Sequence, residues 1–223
     1  VAPALTGGWC AQAFRVRSLD LIAKVAGVLG HDADADRYAA DARAARTEFA
    51  AAHLDADGRI DVELQGTYVL ALAFDLVPRG LRDLTVARLV ELIHARGDRL
   101  DTGFLSVPYL LDVLWDSGHA DLARRLLWQR EMPSWLYEVD RGATTIWESW
   151  DAVVDGESPH AVSLNHYAFG CVDDVLFRRI AGLRPTDTAW ASATIEPDLD
   201  GPLARASAHV STPYGRLAVD WER

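Results

Sequence analysis

The stretch GATTIWESWD, residues 142–151, places two carboxylates among large apolar side chains. Glu148 lies between Trp147 and Trp150, and Asp151 follows directly. A carboxylate in such surroundings should be paired, or it should do chemistry that uses a desolvated acid, because an isolated charge is costly to remove from water. Most of the 33 acidic residues are expected to be solvated surface groups. Its apolar neighbours therefore make Glu148 the first candidate for chemistry.

The composition excludes several classes of partner. The chain has 223 residues, half of them apolar, which is enough for one large domain or one and a half. Its formal net charge is -11, whereas nucleic acid and anionic membrane surfaces attract clustered Lys and Arg. We therefore predict neither nucleic acid nor a membrane as a partner, and neutral or cationic small substrates stay open.

Cysteine and histidine spacing gives no sign of a metal site or a disulfide framework. Cys10 and Cys171 are far apart and form no CxxC pair, and two isolated thiols favour a reducing, cytoplasmic compartment. The seven histidines form neither HxH nor HExxH. We predict no metal and no cofactor. Because the chain begins without Met, we expect it to be the interior of a longer protein.

Apolar periodicity predicts a succession of helices. Residues 9–29 carry apolar side chains at helical spacing, and Gly30 is a natural terminator. The stripe expected to be buried in this helix consists of Phe14, Leu21, Ile22, Val25 and Leu29. A second helix is predicted over 33–53, with the stripe Tyr38, Ala42, Ala45 and Phe49. Further helices are predicted over 65–77, 82–96, 105–117 and 119–130. Short loops between them indicate antiparallel hairpins.

The remainder of the chain changes character twice. Residues 132–163 lack periodicity and predict a long loop, and long loops in compact domains are often functional. A helix over SLNHYAFGCVDDVLFRRIAG, residues 163–182, should follow, with a buried stripe of Phe169, Val172, Leu176 and Ile180. Alternating apolar and polar residues from 193 onward predict β structure, with a tight turn at STPYG, residues 211–215.

Several stretches together resemble one known family. TGFLSVPYLLDVL, PSWLYEVDRGATTIWESWD, NHYAFGCVDDVLFRRIAGL and ASATIEPDL follow one another as in bacterial α-L-rhamnosidases of glycoside hydrolase family 78. The earlier QGTYVLALAFDLVP resembles that family's TQTAYxLAL helix. The resemblance covers nearly the whole chain, and the pairing of GATTIWESWD with NHYAFG is its most specific part.

The resemblance implies a mainly α fold: helical hairpins of an (α/α)6 toroid, followed by a C-terminal antiparallel β-sandwich. Residues 1–184 would form the second half of the catalytic barrel, and residues 185–223 the start of the sandwich. The family's general acid lies in a motif similar to RDERxGWxGD, which is expected upstream of residue 1. The chain alone is therefore predicted to be inactive, with the upstream half of the same enzyme as its partner.

The resemblance also implies roles for individual residues. Glu148 matches the general base of an inverting glycosidase, which activates water opposite the leaving group. The predicted substrate-binding residues are His166, Trp147, Trp150, Trp9 and Asp151. For three of them a structural alternative is open: a core position for Trp9 and His166, and a helix cap or loop contact for Asp151. Gly7 and Gly8 precede Trp9 where the family commonly has GDW, so the chain departs from the pattern there.

Two functions are compatible with these patterns. The first is a glycoside hydrolase that removes terminal α-L-rhamnose from a rhamnose-containing glycoside with inversion. The second is a non-catalytic helical-hairpin interaction module, or a degenerate fragment, in which GATTIWESWD only packs. If the isolated chain were active, the first carboxylates to re-examine would be Asp101, Asp140 and Asp155.

Overall fold

A computed structural model describes residues 3–156 and 159–223. The chain divides into two compact units, Val1–Tyr137 and Glu138–Arg223, and the division falls within a short helix, α7 (Trp135–Asp140). None of the helices in the described part combines the length and apolarity needed to cross a bilayer.

The first unit is built from helices close to the predicted ones. In chain order they are α1 (Pro3–Val28), α2 (Asp32–His53), α3 (Gln65–Ala73), α4 (Arg82–Ala95), α5 (Val107–Asp116) and α6 (Ala120–Leu127). The short helix α7 (Trp135–Asp140) lies in the stretch where a loop was predicted. The pairs α1–α2, α3–α4 and α5–α6 are in contact, and α3 also contacts α5. The predicted succession of hairpins is confirmed.

Helices α1 and α2 form an antiparallel hairpin. Arg15 in the first half of α1 pairs with Glu48 near the end of α2, with 3.3 Å between Nη1 and Oε2. At the other end, a Cβ on Gly27 would lie 3.9 Å from Ala35 Cβ. A further ion pair joins Arg46 to Asp20. The two helices therefore run in opposite directions along their whole length.

The predicted buried stripe is confirmed on α2 and wrong on α1. Ala42, Ala45 and Phe49 are buried, and Tyr38 is half-buried. Among the described side chains of α1, Trp9, Ala13, Val16 and Ala26 are buried and Phe14 is half-buried, whereas Leu21, Ile22 and Val25 are exposed, as is Leu29 just beyond the helix. Helix α1 is apolar on more than one side, and the side that includes Trp9 packs against Phe49 of α2. Periodicity identifies an apolar face but not its neighbour.

Helix α3 is buried almost throughout, and buried polar groups fix the loops around it. The amide of Gln65 donates from Nε2 to Arg99 O (3.1 Å), and its Oε1 accepts from Asp101 N (2.9 Å). The hydroxyl of Tyr68 accepts a hydrogen bond from Ile60 N at 3.0 Å. The helix ends at Ala73, earlier than the predicted residue 77, because the backbone turns into the left-handed region just beyond it.

The second unit contains an irregular helix instead of the predicted regular one. A 3₁₀ turn (Ala168–Cys171), helix α8 (Val172–Val175) and a π turn (Leu176–Ile180) follow one another. Ala181 N donates to Leu176 O at 2.8 Å, and this hydrogen bond between residues five positions apart is the one that defines a π turn. Phe169, Val175 and Ile180 are buried, while the predicted Val172 and Leu176 are half-buried. The stripe was predicted with α-helical spacing, and the π turn shifts it by one residue.

The described residues end in antiparallel β structure, as predicted. Strand β1 (Leu183–Pro185) pairs with β2 (Ala193–Ile195), and β3 (Arg205–Thr212) pairs with β4 (Gly215–Glu222). The turn between β3 and β4 joins Thr212 to Gly215, and side-chain exposure alternates along both strands. The sequence did not predict β1. The predicted domain boundary between residues 184 and 185 falls inside β1, and that boundary stays a prediction.

Gly182 joins the helical segment to β1. Its φ is +80°, and a Cβ there would overlap the backbone of Pro197. Its carbonyl accepts a hydrogen bond from Glu196 N at 2.8 Å. Only glycine satisfies both the left-handed backbone and the close approach.

Candidate active site

Two loop segments pair with each other and carry the predicted site residues. Glu148 N donates to Ser163 O at 2.9 Å, and His166 N donates to Ile146 O at 2.8 Å. The hydroxyl of Thr145 donates to Leu164 O. These bonds align residues 145–148 with residues 163–166 in an antiparallel manner, although neither segment is a regular strand. The pairing brings the backbones of Glu148 and His166 together.

Glu148 is half-buried and held through one carboxylate oxygen. Oε2 accepts a hydrogen bond from Ser163 N at 2.8 Å, so Glu148 and Ser163 exchange two bonds. Within the described residues, Oε1 has no hydrogen-bond partner. A carboxylate fixed through one oxygen, with the other available, has the arrangement that a general base needs to accept a proton from water.

The two tryptophans beside Glu148 have different environments. Trp147 is 4% exposed. Trp150 is half-buried and stacks on Phe169, with 3.9 Å between ring centroids and 22° between ring planes. Both rings shield the motif from water, and their predicted stacking on a sugar stays a prediction.

Asp151 holds its own loop. One carboxylate oxygen accepts from the Ser149 hydroxyl, and the other lies 3.7 Å from His160 Nδ1. Within the described residues Asp151 makes no hydrogen bond with Glu148. These contacts agree with the loop role that was open for Asp151, and its predicted contact with substrate stays a prediction.

His166 is fixed at its backbone and at one ring nitrogen. Nδ1 accepts a hydrogen bond from Ala168 N at 3.3 Å, and the ring stacks on exposed Tyr167 with centroids 5.3 Å apart. With Nδ1 as the acceptor, the neutral imidazole carries its proton on Nε2. The predicted contact of His166 with a sugar hydroxyl stays a prediction.

Trp9 lies in the first unit, within the α1–α2 hairpin. It is 3% exposed and meets Phe49 edge-on, with 5.1 Å between centroids. His53 contacts it on another side, at 6.2 Å between centroids. This environment is that of a core residue, the alternative that was open for Trp9. Its predicted place in the sugar pocket is untested.

Sequence reasoning missed Glu138. This residue of α7 is 2% exposed, and its Oε2 accepts a hydrogen bond from Trp147 N at 3.2 Å. Burial raises the pKa of the Glu138 carboxyl from its usual 4.5 to about 7, and the bond from the Trp147 amide opposes this increase. The sequence held a signal for its burial, because Glu138 follows the apolar Trp135 at helical spacing.

The remaining reactive groups point to no other chemistry. The described residues include no cluster of three or more side chains suited to hold a metal ion. Burial raises the pKa of the Cys171 thiol to about 11, so it is not a thiolate at neutral pH. In the second unit, the carboxyl groups of Glu138, Glu148 and Asp151 are the reactive groups that contact the paired loops.

Comparison with known proteins defines the class of fold and then the family. The model of the bacterial alpha-L-rhamnosidase 6 hairpin glycosidase domain matches residues 6–180, and that of the bacterial alpha-L-rhamnosidase C-terminal domain matches residues 182–223. The helical part thus matches a six-hairpin glycosidase domain, and the β part that follows matches the family's C-terminal domain. The chain belongs to the bacterial α-L-rhamnosidase family, as its motifs predicted.

Individual relatives agree with this assignment. The chain is 40% identical over 216 residues to an alpha-L-rhamnosidase of Streptomyces avermitilis, covering 96% of this chain and 21% of the relative. It is 37% identical over 214 residues to an alpha-L-rhamnosidase from Alteromonas sp. (strain LOR), covering 94% of this chain and 23% of that relative. The chain therefore spans about a fifth of the length of these relatives.

Solved structures share the fold. The crystal structure of the S. avermitilis enzyme complexed with L-rhamnose superposes with a TM-score of 0.91 at 39% identity, over 96% of this chain and 21% of that one. The crystal structure of the native enzyme from Aspergillus terreus superposes with a TM-score of 0.90 at 33% identity, over 94% of this chain and 25% of that one. The predicted fold class is confirmed.

Proposed function

We propose that the protein containing this chain is a glycoside hydrolase that removes terminal α-L-rhamnose from rhamnosides with inversion. The observation that supports this most directly is the half-buried Glu148 carboxylate, fixed by Ser163 N in the paired loops that also hold His166. The relatives that match almost the whole chain are named alpha-L-rhamnosidases. In this proposal Glu148 is the general base.

The proposed reaction requires a second carboxyl group. Inversion uses an acid that protonates the leaving oxygen while the base activates water on the opposite face. Glu138 has the raised pKa of such an acid, but at 2% exposure a glycosidic oxygen does not reach it. Asp101 pairs with Arg96 at 3.0 Å, and Asp155 pairs with Arg141 at 2.6 Å. Because the resemblance places the family's acid in a motif upstream of residue 1, we propose that the acid lies outside residues 1–223.

The substrate contacts follow from the same geometry. In this proposal the His166 ring contacts a hydroxyl of the sugar, and the half-buried Trp150 ring beside Glu148 forms an apolar wall. Rhamnose is a 6-deoxy sugar, so its methyl group is a suitable partner for an aromatic surface. Desolvation by that wall strengthens the polar contacts around Glu148.

The test is hydrolysis of 4-nitrophenyl α-L-rhamnoside by the full-length protein, with 4-nitrophenyl α-D-mannoside as the matched control. We expect release of nitrophenol from the rhamnoside, with β-L-rhamnose as the first anomer detected by proton NMR. No hydrolysis of the rhamnoside would refute the proposed activity, and α-L-rhamnose as the first product would refute inversion. Residues 1–223 alone should release no measurable nitrophenol.

A further inference from the structure

Glu138 contacts the segment leading to Glu148 at three points. Its backbone oxygen accepts hydrogen bonds from Arg141 N and Ala143 N, each at 3.1 Å, around the turn that ends α7. Its side-chain Oε2 accepts from Trp147 N at 3.2 Å. One residue thus fixes the start of GATTIWESWD and the position just before Glu148.

The side-chain bond holds one particular peptide unit. The carbonyl of Ile146 and the N–H of Trp147 belong to the same planar group. The carbonyl accepts from His166 N at 2.8 Å, and the N–H donates to Glu138. The peptide plane that precedes Glu148 is therefore held from both sides, by the segment that carries His166 and by a buried carboxyl group.

We propose that Glu138 is a positioning residue for Glu148, acting by fixing the orientation of the Ile146–Trp147 peptide unit. The proposal rests on the function proposed above, in which Glu148 is the base. Rotation of that peptide plane would turn the backbone of Glu148 and displace its carboxylate. Displacements of about 1 Å in a reacting group can cost a hundredfold in rate.

A packing role does not account for the carboxyl group. Glu138 Oε1 is buried, and it has no hydrogen-bond partner among the described residues. A buried polar atom without a partner is destabilising, and an apolar side chain of similar volume would avoid that cost. No ionisable side chain of the described residues pairs with or hydrogen-bonds to Glu138. The Trp147 N–H is therefore the hydrogen-bond partner that gives the Glu138 carboxyl a structural role.

The position also makes the bond sensitive to pH. An ionised carboxylate accepts a backbone N–H more strongly than a neutral carboxyl does. Because burial raises the pKa of Glu138 to about 7, the bond to Trp147 should strengthen as the pH rises through neutrality. Glutamine at this position keeps an acceptor oxygen and removes the titration, while methionine removes the acceptor at similar volume.

The experiment compares Glu138→Gln and Glu138→Met in the full-length enzyme, with Asp173→Asn, an exposed change in α8 of the same unit, as control. We expect Glu138→Met to lower kcat by about ten- to a hundredfold at little change in KM. Glu138→Gln should keep kcat within about threefold, and its pH profile should lose the component near pH 7 that wild type and Asp173→Asn retain.

Two outcomes would overturn the proposal. One is normal kcat and an unchanged pH profile in both variants, whatever their thermal stability. The other is independent of activity: in protein labelled with ¹⁵N-tryptophan, the Trp147 amide resonance should titrate near pH 7 in wild type and not in Glu138→Gln. An amide that does not titrate in wild type overturns the inference even if the enzyme hydrolyses rhamnosides. Titration without any rhamnosidase activity would contradict the proposed function alone.

Discussion

The α1–α2 hairpin and the paired loops around Glu148 hold their side chains in different ways. In α2, Ala42, Ala45 and Phe49 are buried at regular helical intervals, and Phe49 packs against Trp9 of α1. Around Glu148, single hydrogen bonds to Ser163 and Glu138 fix individual groups. A lost contact in the hairpin should therefore reduce stability, whereas a lost bond in the loops should change geometry and rate.

The largest effect is expected from Glu148→Gln. The amide is nearly isosteric but does not accept a proton from water, so kcat on 4-nitrophenyl α-L-rhamnoside should fall by about a hundredfold to ten-thousandfold at almost unchanged Tm. Asp155→Asn, an exposed change in the same loop, is the control and should leave kcat unchanged. Near-normal turnover by Glu148→Gln would show that Glu148 is not the base. It would also contradict the expectation that changes in the loops affect rate while changes in the hairpin affect stability.

Phe49→Ala tests the hairpin side of the comparison. Phe49 is 1% exposed and packs against Trp9 and His53, so its truncation leaves a cavity. We expect a loss of about 3–5 kcal/mol in the free energy of unfolding, measured by urea denaturation. The kcat of the folded fraction should stay within about twofold of wild type. Exposed Thr47→Ala on the same helix is the control, and equal stability of the two variants would argue against the hairpin core described here.

Glu138→Gln should change stability as well as rate, because the Glu138 carboxyl is buried and also holds the loop through Trp147 N. The pKa of Glu138 is raised from 4.5 to about 7 on folding, so the folded state binds the proton more tightly than the unfolded state does. The stabilisation is fully present below pH 4.5 and is lost as the pH rises to about 7. Between these limits wild type should lose up to about 3 kcal/mol relative to Glu138→Gln. Parallel curves of unfolding free energy against pH would contradict this prediction.

The smallest effect is expected from His166→Ala. Loss of the ring's contact with a sugar hydroxyl should weaken L-rhamnose binding by about tenfold in calorimetry, with little loss of thermal stability. His160→Ala is the matched control, because His160 lies in the same loop with its Nδ1 3.7 Å from the Asp151 carboxylate. Unchanged rhamnose affinity together with a large decrease in Tm would show that His166 is a core histidine, and that the loops behave like the hairpin.

The sequence was a good guide where structure is local and periodic. Helix α2 was predicted to within one residue at its start, and the turn between β3 and β4 was located at STPYG, because spacing and turn residues act over a few positions. The predicted burial on α1 was wrong, since Leu21 and Val25 are exposed whereas Trp9, Ala13 and Val16 are buried. Which of two apolar faces meets a neighbour depends on tertiary packing.

The candidate site was predictable only in part, for a related reason. Glu148 was identified from its tryptophan neighbours and from the resemblance to a family. The pairing of Ile146 with His166 joins residues twenty positions apart through backbone atoms, which carry no sequence signal. The role of Glu138 depends on burial and on a backbone donor nine residues away, and neither is visible from residue type.

The π turn at Leu176–Ile180 has a genetic consequence. It allows Val175 and Ile180, five positions apart, to be buried together, where an α-helix would bury positions three or four apart. Deleting one codon from 177 to 179 would place these two residues four positions apart, which is the spacing of an ordinary α-helical turn. The later residues would then stay nearly in phase, so Gly182 should keep its close approach to Pro197 and β1 its register. This stretch should therefore tolerate the loss of one residue better than a regular helix does.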